Sequence, residues 1–322
     1  MVRCHAWGAP AGFTRVEATV VVFIAVISLG LLSSCVQTVR TPEGRTQCTN
    51  NLREIGLAIH NFELSYKRMP PLFGGGTDLD GKPVEKLSQR FFKNNGAPQV
   101  FLLPFVEQDR LFDMVSHLGP NTFFGAIRKA VPTYVCPIDP GTVEGIQEGS
   151  HLGSASYTAN GQLFGMTDSA TGQPTGDFPW DRGSKIKDIK DGSANTIMFA
   201  HAYTRCGAVA GNDRTAASGA VWGYYNNGHA PSGTQGPPIF MSAPISGAAN
   251  VGKDIKTTFQ VQPKPHNTAA CDPALPATPH GVMLVVLADG SVRNLKPIIQ
   301  PLTWWQACSP DDGSTLPDNW VE

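Results

Sequence analysis

Residues 18–36 are almost uniformly apolar and carry no charge, roughly the ~20 residues that a helix needs to cross a bilayer. Beyond them the pattern changes. Leu52, Ile55, Ile59, Phe62 and Tyr66 recur at intervals of three and four, the single stripe of an amphipathic helix that packs on a head and stops before Pro70-Pro71. Thr41-Pro42-Glu43 combines a capping side chain, a proline at a first helical position and an acid in a first turn, which predicts a kink or restart of the helix near residue 41. Further on, "VFLLPFVEQDRLFDMV" predicts a short helix and "VPTYVCPIDPG" a strand. "SYTANGQLFG" and "IKDIKDGSANTIMFAHAYTRCG" read as strand, turn, strand about Asp191-Gly192. The clearest local signal is "HGVMLVVLADGSVRNLKP": a strand over 282–287, a turn at Asp289-Gly290, and a return through Val292 and Leu295.

Residues 207–279 are rich in Gly, Pro, Ala, Ser and Asn and predict an irregular insertion anchored by Trp222, Tyr224 and Tyr225. The pattern predicts an α+β protein. A 1–12 leader precedes a transmembrane helix over 13–40 and an amphipathic stalk helix over 41–69, and the head over 70–322 holds an antiparallel β-sheet. With Lys+Arg 25 against Asp+Glu 26, no basic footprint argues for nucleic acid.

Seven cysteines are present and none forms a C-x-x-C pair. Cys136, Cys206, Cys271 and Cys308 are disulfide candidates if the head is exported, with Cys271 a partner for Cys206 or Cys308. Cys48 and His60, tempting as ligands, read as ordinary half-buried helix residues. His151, His201, His229, His266 and His280 lie in turn-rich text without metal-ligand spacing, and no nucleophile elbow, phosphate loop or zinc-protease motif occurs, so no enzyme is expected. Asp78, Asp80 and Gly81 open like a calcium loop, but the twelfth position is Gln89, so the alternatives are a non-EF-hand calcium site and a solvated turn. No other cofactor is expected.

Glu17 is the anomaly, because an uncompensated carboxylate beside hydrocarbon costs about 2 to 4 kcal/mol and calls for a partner. Arg3 and Arg15 precede the apolar run and favour a cytoplasmic N-terminus. A plain anchor leaves Glu17 unexplained. A lipoprotein signal is the rival, since "LSSC" ending at Cys35 approximates a lipobox. Cleavage after Gly12 instead creates an α-amino group on Phe13, four residues from Glu17, and that cation can pair with the carboxylate within one chain or between chains. "GFTRVE" followed by an apolar helix resembles the class III signal of type IV prepilins and type II secretion pseudopilins, with arginine at 15 where leucine is commoner. The resemblance implies cleavage by prepilin peptidase at Gly12, methylation of Phe13, and an assembly role for Glu17.

"RTQCTNNLREIGLAIHNFELSYKRMPP" is similar to the segment after the signal in a large bacterial family of pseudopilin-like proteins named for a C-terminal H-x9-DG motif. Here His280, Asp289 and Gly290 match it with eight intervening residues, and His201 stands where that family has a glutamate. The resemblance implies a type IV pilin-like fold and a structural pseudopilin or minor-pilin subunit. Its partners would be the peptidase, other pseudopilins and the inner membrane, crossed once with the head in the periplasm or in a filament. The alternative is an envelope-anchored binding protein that uses the signal for export only, with 207–279 as its ligand surface. Intact-mass and N-terminal analysis of membrane-extracted protein is expected to give a methylated Phe13 start, and a diacylated Cys35 start would overturn that reading.

Overall fold

The structure, a computed structural model, describes residues 14–72, 97–116, 125–148, 151–165, 184–206, 220–223, 239–240, 258–265, 270–272 and 275–321, without the side chains of 25–42 and 239. Gly12, Phe13, Asp78, Asp80, Gly81, Tyr224, Tyr225, His229 and His266 lie outside the described residues, as do most side chains of the apolar run. The chain divides into a unit over 1–44 and a unit over 45–322. Helix α1, Arg15–Tyr66, enters both.

In the first unit α1 opens with a reciprocal cap. The Thr14 amide and Oγ1 donate to Glu17 Oε2 at 2.8 and 2.9 Å, and the Glu17 amide donates to Thr14 Oγ1 at 3.3 Å. Val16, Val20, Val21, Val22, Phe23 and Ile24 are all exposed. Among the described residues no helix is long and apolar enough to cross a membrane. The restart predicted at Thr41 is absent, and the helix runs through Pro42. A proline removes one amide donor, and the hydrogen bonds of the turns on either side remain to carry the helix past it.

In the second unit the periodic stripe becomes the core. Cys48, Leu52, Ile55, Ile59 and Phe62 are fully buried in one cluster with Val100, Phe101, Phe112, Leu284 and Val286. After α1 come α2 (Pro98–Leu102), a 3-10 turn over Leu103–Phe105, and α3 (Asp109–Ser116). The strand predicted over "VPTYVCPIDPG" is a 3-10 turn, Pro132–Tyr134, with extended flanks: Pro132 denies the first position of a ladder its donor. Two short strands, β1 (Thr142–Val143) and β2 (Ile146–Gln147), form a hairpin.

The main sheet takes β3 (Tyr157–Asn160), β4 (Ile197–His201), β5 (Ile239–Phe240), β8 (Met283–Leu287) and β9 (Val292–Leu295) in the order β5-β3-β4-β8-β9. It is antiparallel except that β5 lies parallel to β3, a departure from the purely antiparallel expectation. A short helix α4 (Gly161–Gly165) follows β3, a 3-10 turn spans Ile186–Asp188, and β3 and β4 pair antiparallel, the two strands expected on either side of Asp191-Gly192. β6 (Gln260–Val261) and β7 (Ala277–Thr278) pair in parallel, and α5 (Pro301–Cys308) follows the sheet.

β8 is buried along its whole length, which is why it reads as a continuous apolar run rather than an alternating one. Its side chains divide by parity. Leu284 and Val286 join the α1 cluster, while Met283, Val285 and Leu287 join a second cluster with Ile197, Ala200, Phe240 and Trp304 of α5. The register shift between Ile197 and Phe199 puts Met198 and Phe199 both in the α1 cluster. Where α1 meets the β8–β9 turn the approach is close: a Cβ at Gly56 would stand 3.0 Å from Val286 Cγ2, and Gly290 turns at φ 84° beside His60.

The 207–279 stretch is not a detachable insertion. Trp222 is fully buried and donates to Lys129 O at 2.8 Å, Phe240 belongs to the second cluster, and β6 and β7 close on each other. Phe62 sits amid Tyr66, Phe101 and Phe105 at ring-centroid distances of 4.6, 6.5 and 5.6 Å. Phe62→Ala is therefore expected to cost about 3–5 kcal/mol, read as a lower urea midpoint at unchanged slope.

Candidate functional site

Four elements deliver two sulfurs and two imidazoles to one buried place. Cys48 heads the apolar stripe of α1, four residues before Leu52, so burial of the stripe turns it inward. Cys136 follows the 3-10 turn at Pro132–Tyr134, in a segment held to α1 by Asn51 Nδ2, which donates to Val135 O at 2.8 Å. His201 is the last residue of β4, opposite Tyr157 of β3, whose ring meets it edge-on at 5.3 Å. His280 follows β7, in a turn set by Thr278: its Oγ1 donates to Val282 O at 3.1 Å and accepts the His280 amide at 3.2 Å.

Cys48 and Cys136 form a disulfide with Cα atoms 5.3 Å apart. Cys136 Sγ and His280 Nε2 are 3.7 Å apart, the two imidazoles stand edge to face at 5.6 Å, and one sulfur or ring nitrogen of each of the four residues lies within 4.8 Å of all the others. His201 Nδ1 lies 3.1 Å from Ala277 O, to which it can only donate, so Nε2 carries the lone pair; that atom is buried without a hydrogen-bond partner. Burial, reinforced by His280, pushes His201 down to about 3. Burial, reinforced by the positive charge of Arg45, pushes His280 down to about 4. Both rings are neutral at pH 7, the form in which an imidazole offers a lone pair.

Close by in sequence is a second buried polar centre. Asp139 accepts from the Gly141 amide at 2.9 Å, Ser156 Oγ at 2.7 Å and the Thr204 amide at 3.0 Å. It ties the turn after Cys136 to the segments leading into β3 and out of β4. Burial pushes its carboxyl up to about 6, and those hydrogen bonds hold it from rising further.

The structure sorts the sequence candidates differently from their motifs. His280 and Asp289-Gly290 lie at opposite ends of β8: His280 joins the sulfur cluster, whereas Asp289 Oδ1 accepts from the Ser291 amide and Oγ at 2.8 and 2.6 Å and shapes the hairpin turn. Of the disulfide candidates, Cys206 joins Cys271, and Cys136 joins Cys48 of the helix rather than another head cysteine. Cys308 lies buried beside Trp304 in the second cluster, outside both bridges. Cys48 was thus more than the ordinary helix residue its surroundings suggest, and the histidines without ligand spacing include two that meet in space. Glu17, read as wanting the Phe13 amine, has Thr14 as its local partner; the T-x-x-E pattern of a capping box at 14–17 signals this contact in the sequence itself.

Asp139 predicts a pH dependence. Its folded value of about 6 lies above its ordinary 3.8, so the folded chain binds more protons between those values, and Asp139's contribution to stability is present at low pH and lost as pH rises through 6. Asp139→Asn does not titrate. The stability of the natural chain relative to this variant is therefore expected to fall by up to about 3 kcal/mol from about pH 3.5 to about pH 7, measured by urea unfolding at a series of pH values.

A family model described as "Protein of unknown function (DUF1559)" matches residues 39–301. No curated protein and no solved structure matches the chain.

Proposed function

The chain belongs to the DUF1559 family, and from that premise we propose that it is a structural subunit of pseudopilin or minor-pilin type, processed by prepilin peptidase and assembled through its N-terminal helix. Membership of the family is compatible with a pilin-like or surface protein and carries no more specific role. The observation that supports the finer reading is the start of α1. Val16 and Phe23 are 71% and 69% exposed, and their apolar neighbours through Ile24 are exposed on every side of the helix. A helix apolar all round is covered in its working state, by lipid or by other apolar helices. On this reading a neighbouring subunit's N-terminal amine pairs with Glu17; in support, the cap with Thr14 holds the carboxylate at the helix entrance without using all of its acceptor sites.

On this reading the apolar segment is stored in the inner membrane, single-pass with the head in the periplasm, and is transferred into a bundle of like helices on assembly. Glu17 sets the axial register of each incoming subunit. The mechanism is association rather than turnover.

The second reading, an envelope-anchored binding protein, shares the tether and differs in leaving the chain unassembled. Removing 207–279 does not separate the two, because the same stretch supplies Trp222, Phe240 and Cys271 to the folded head. Glu17→Ala does. The expected result is a variant that is still cleaved and membrane-bound but whose assembled fraction, measured by inter-subunit cross-linking through engineered cysteines in the first helical turns, falls at least ~10-fold, about 1.4 kcal/mol per contact. Cysteine-bearing chains that keep Glu17 and yield no cross-links, or Glu17→Ala chains that cross-link as well as those that keep Glu17, overturn the assembly reading.

A further inference from the structure

The geometry points to a zinc site at Cys48, Cys136, His201 and His280 that forms when the Cys48–Cys136 disulfide is reduced. Four buried residues from four elements supply two sulfurs and two ring nitrogens within 4.8 Å of one another. Two thiolates and two imidazoles are a structural zinc set, and in a tetrahedral site their ligand atoms stand roughly 3.3 to 3.8 Å apart. The cluster is already near that size, with Cys136 Sγ and His280 Nε2 at 3.7 Å.

The orientation of His201 is the independent observation. Its Nδ1 is committed to Ala277 O, leaving buried Nε2 with no protein partner. A backbone carbonyl on one ring nitrogen and a bare lone pair on the other is how metal-ligating histidines are fixed in tautomer and direction. In the disulfide form that lone pair is a buried acceptor without a donor, which is costly. A metal ion satisfies it.

The exchange balances. A thiol reductant, two R–SH, cleaves the Cys48–Cys136 bond, giving two cysteine thiols and leaving as R–S–S–R, so that two electrons and two protons pass to the protein. Zn2+ then displaces both thiol protons to solvent and bonds to two thiolates and two neutral imidazoles. The resulting centre has no net charge, which suits a fully buried place. All four positions are protein ligands, so no site is open for substrate and the ion acts as a cross-link. The disulfide joins α1 to the segment at Cys136. Zinc also joins the end of β4 and the turn before β8, so the head carries one of two alternative staples according to the thiol poise of its surroundings.

The test uses the full chain in detergent, reduced with a phosphine without oxygen, supplied with Zn2+ and freed of excess, with Co2+ as the optical probe. The reduced natural chain is expected to retain about one zinc, and with Co2+ to show the visible bands of tetrahedral thiolate-bound cobalt; the oxidised chain shows neither. His201→Ala and His280→Ala are each expected to weaken zinc binding by at least ~100-fold, beyond the effect of altering an outer partner. The Cys48→Ser/Cys136→Ser variant keeps every other cysteine of the chain, Cys35, Cys206, Cys271 and Cys308 among them, and measures binding by those thiols. Circular dichroism keeps the outcomes distinct. A reduced chain that stays folded but takes up no more zinc or cobalt than the double variant overturns the proposal. So does one that unfolds on reduction and is not refolded by zinc, whereas refolding by zinc supports it.

Discussion

The burial of the α1 stripe against the central sheet is the constraint from which the rest of the head follows. Leu52, Ile55, Ile59 and Phe62 share a cluster with Leu284 and Val286, so the helix covers one face of β8 while α5 covers the other. Strand β8 can be apolar on both faces only because both are covered. The closeness is set by Gly56, whose missing side chain leaves room for Val286, and by Gly290, whose positive φ turns the hairpin beneath His60. Once the stripe is docked, the direction of Cys48 is no longer free.

That direction brings a helix cysteine against three residues the chain supplies much later. Several polar groups buried around it are paired by hydrogen bonds between distant segments. Asn51 reaches Val135 O, and Gln99 Nε2 donates to Tyr157 O at 2.9 Å while Tyr134 Oη donates to Gln99 O at 2.7 Å. On the opposite side of the sheet Asn160 Nδ2 donates to Ile197 O and Cys308 O, both at 2.7 Å, tying β3 to β4 and to the end of α5. Each of these side chains would be costly in an apolar interior without its partner, so together they permit few alternative arrangements. His201 Nε2 is among the buried atoms of the described residues that have no hydrogen-bond partner, and its ring belongs to the sulfur cluster.

The N-terminal unit obeys a different rule. Its described apolar side chains, Val16 and Val20 to Ile24, are exposed, whereas Leu52, Ile55, Ile59 and Phe62 further along the helix are buried. One helix thus carries two surfaces, an exposed apolar one over its first described turns and a buried one over its second half. On the proposed reading the exposed apolar run and the acid at its entrance serve association, and the cluster at Cys48 is a property of the folded head.

Local pattern was enough for the features whose physics is local. The 3.6-residue stripe, the end of α1 before Pro70, the short helix near residue 109, and the hairpin across Asp289-Gly290 could all be read because neighbouring residues fix them. Where a distant contact competes, the reading failed. The segment after Val131 turns instead of extending, and β5, from within 207–279, joins the sheet in parallel, whereas Trp222 of the same stretch is buried as the anchor it was expected to be. The Cys/His cluster was illegible for the same reason: residues 48, 136, 201 and 280 have no common spacing, because sequence separation says nothing about proximity once sheet pairing and helix docking have folded the chain back on itself. The sequence by itself determined the stalk stripe, the central strand with its hairpin turn, and where an apolar run begins. Only tertiary structure decided which cysteines meet and which histidines face them, because these are set by the closing of long loops and not by any local preference.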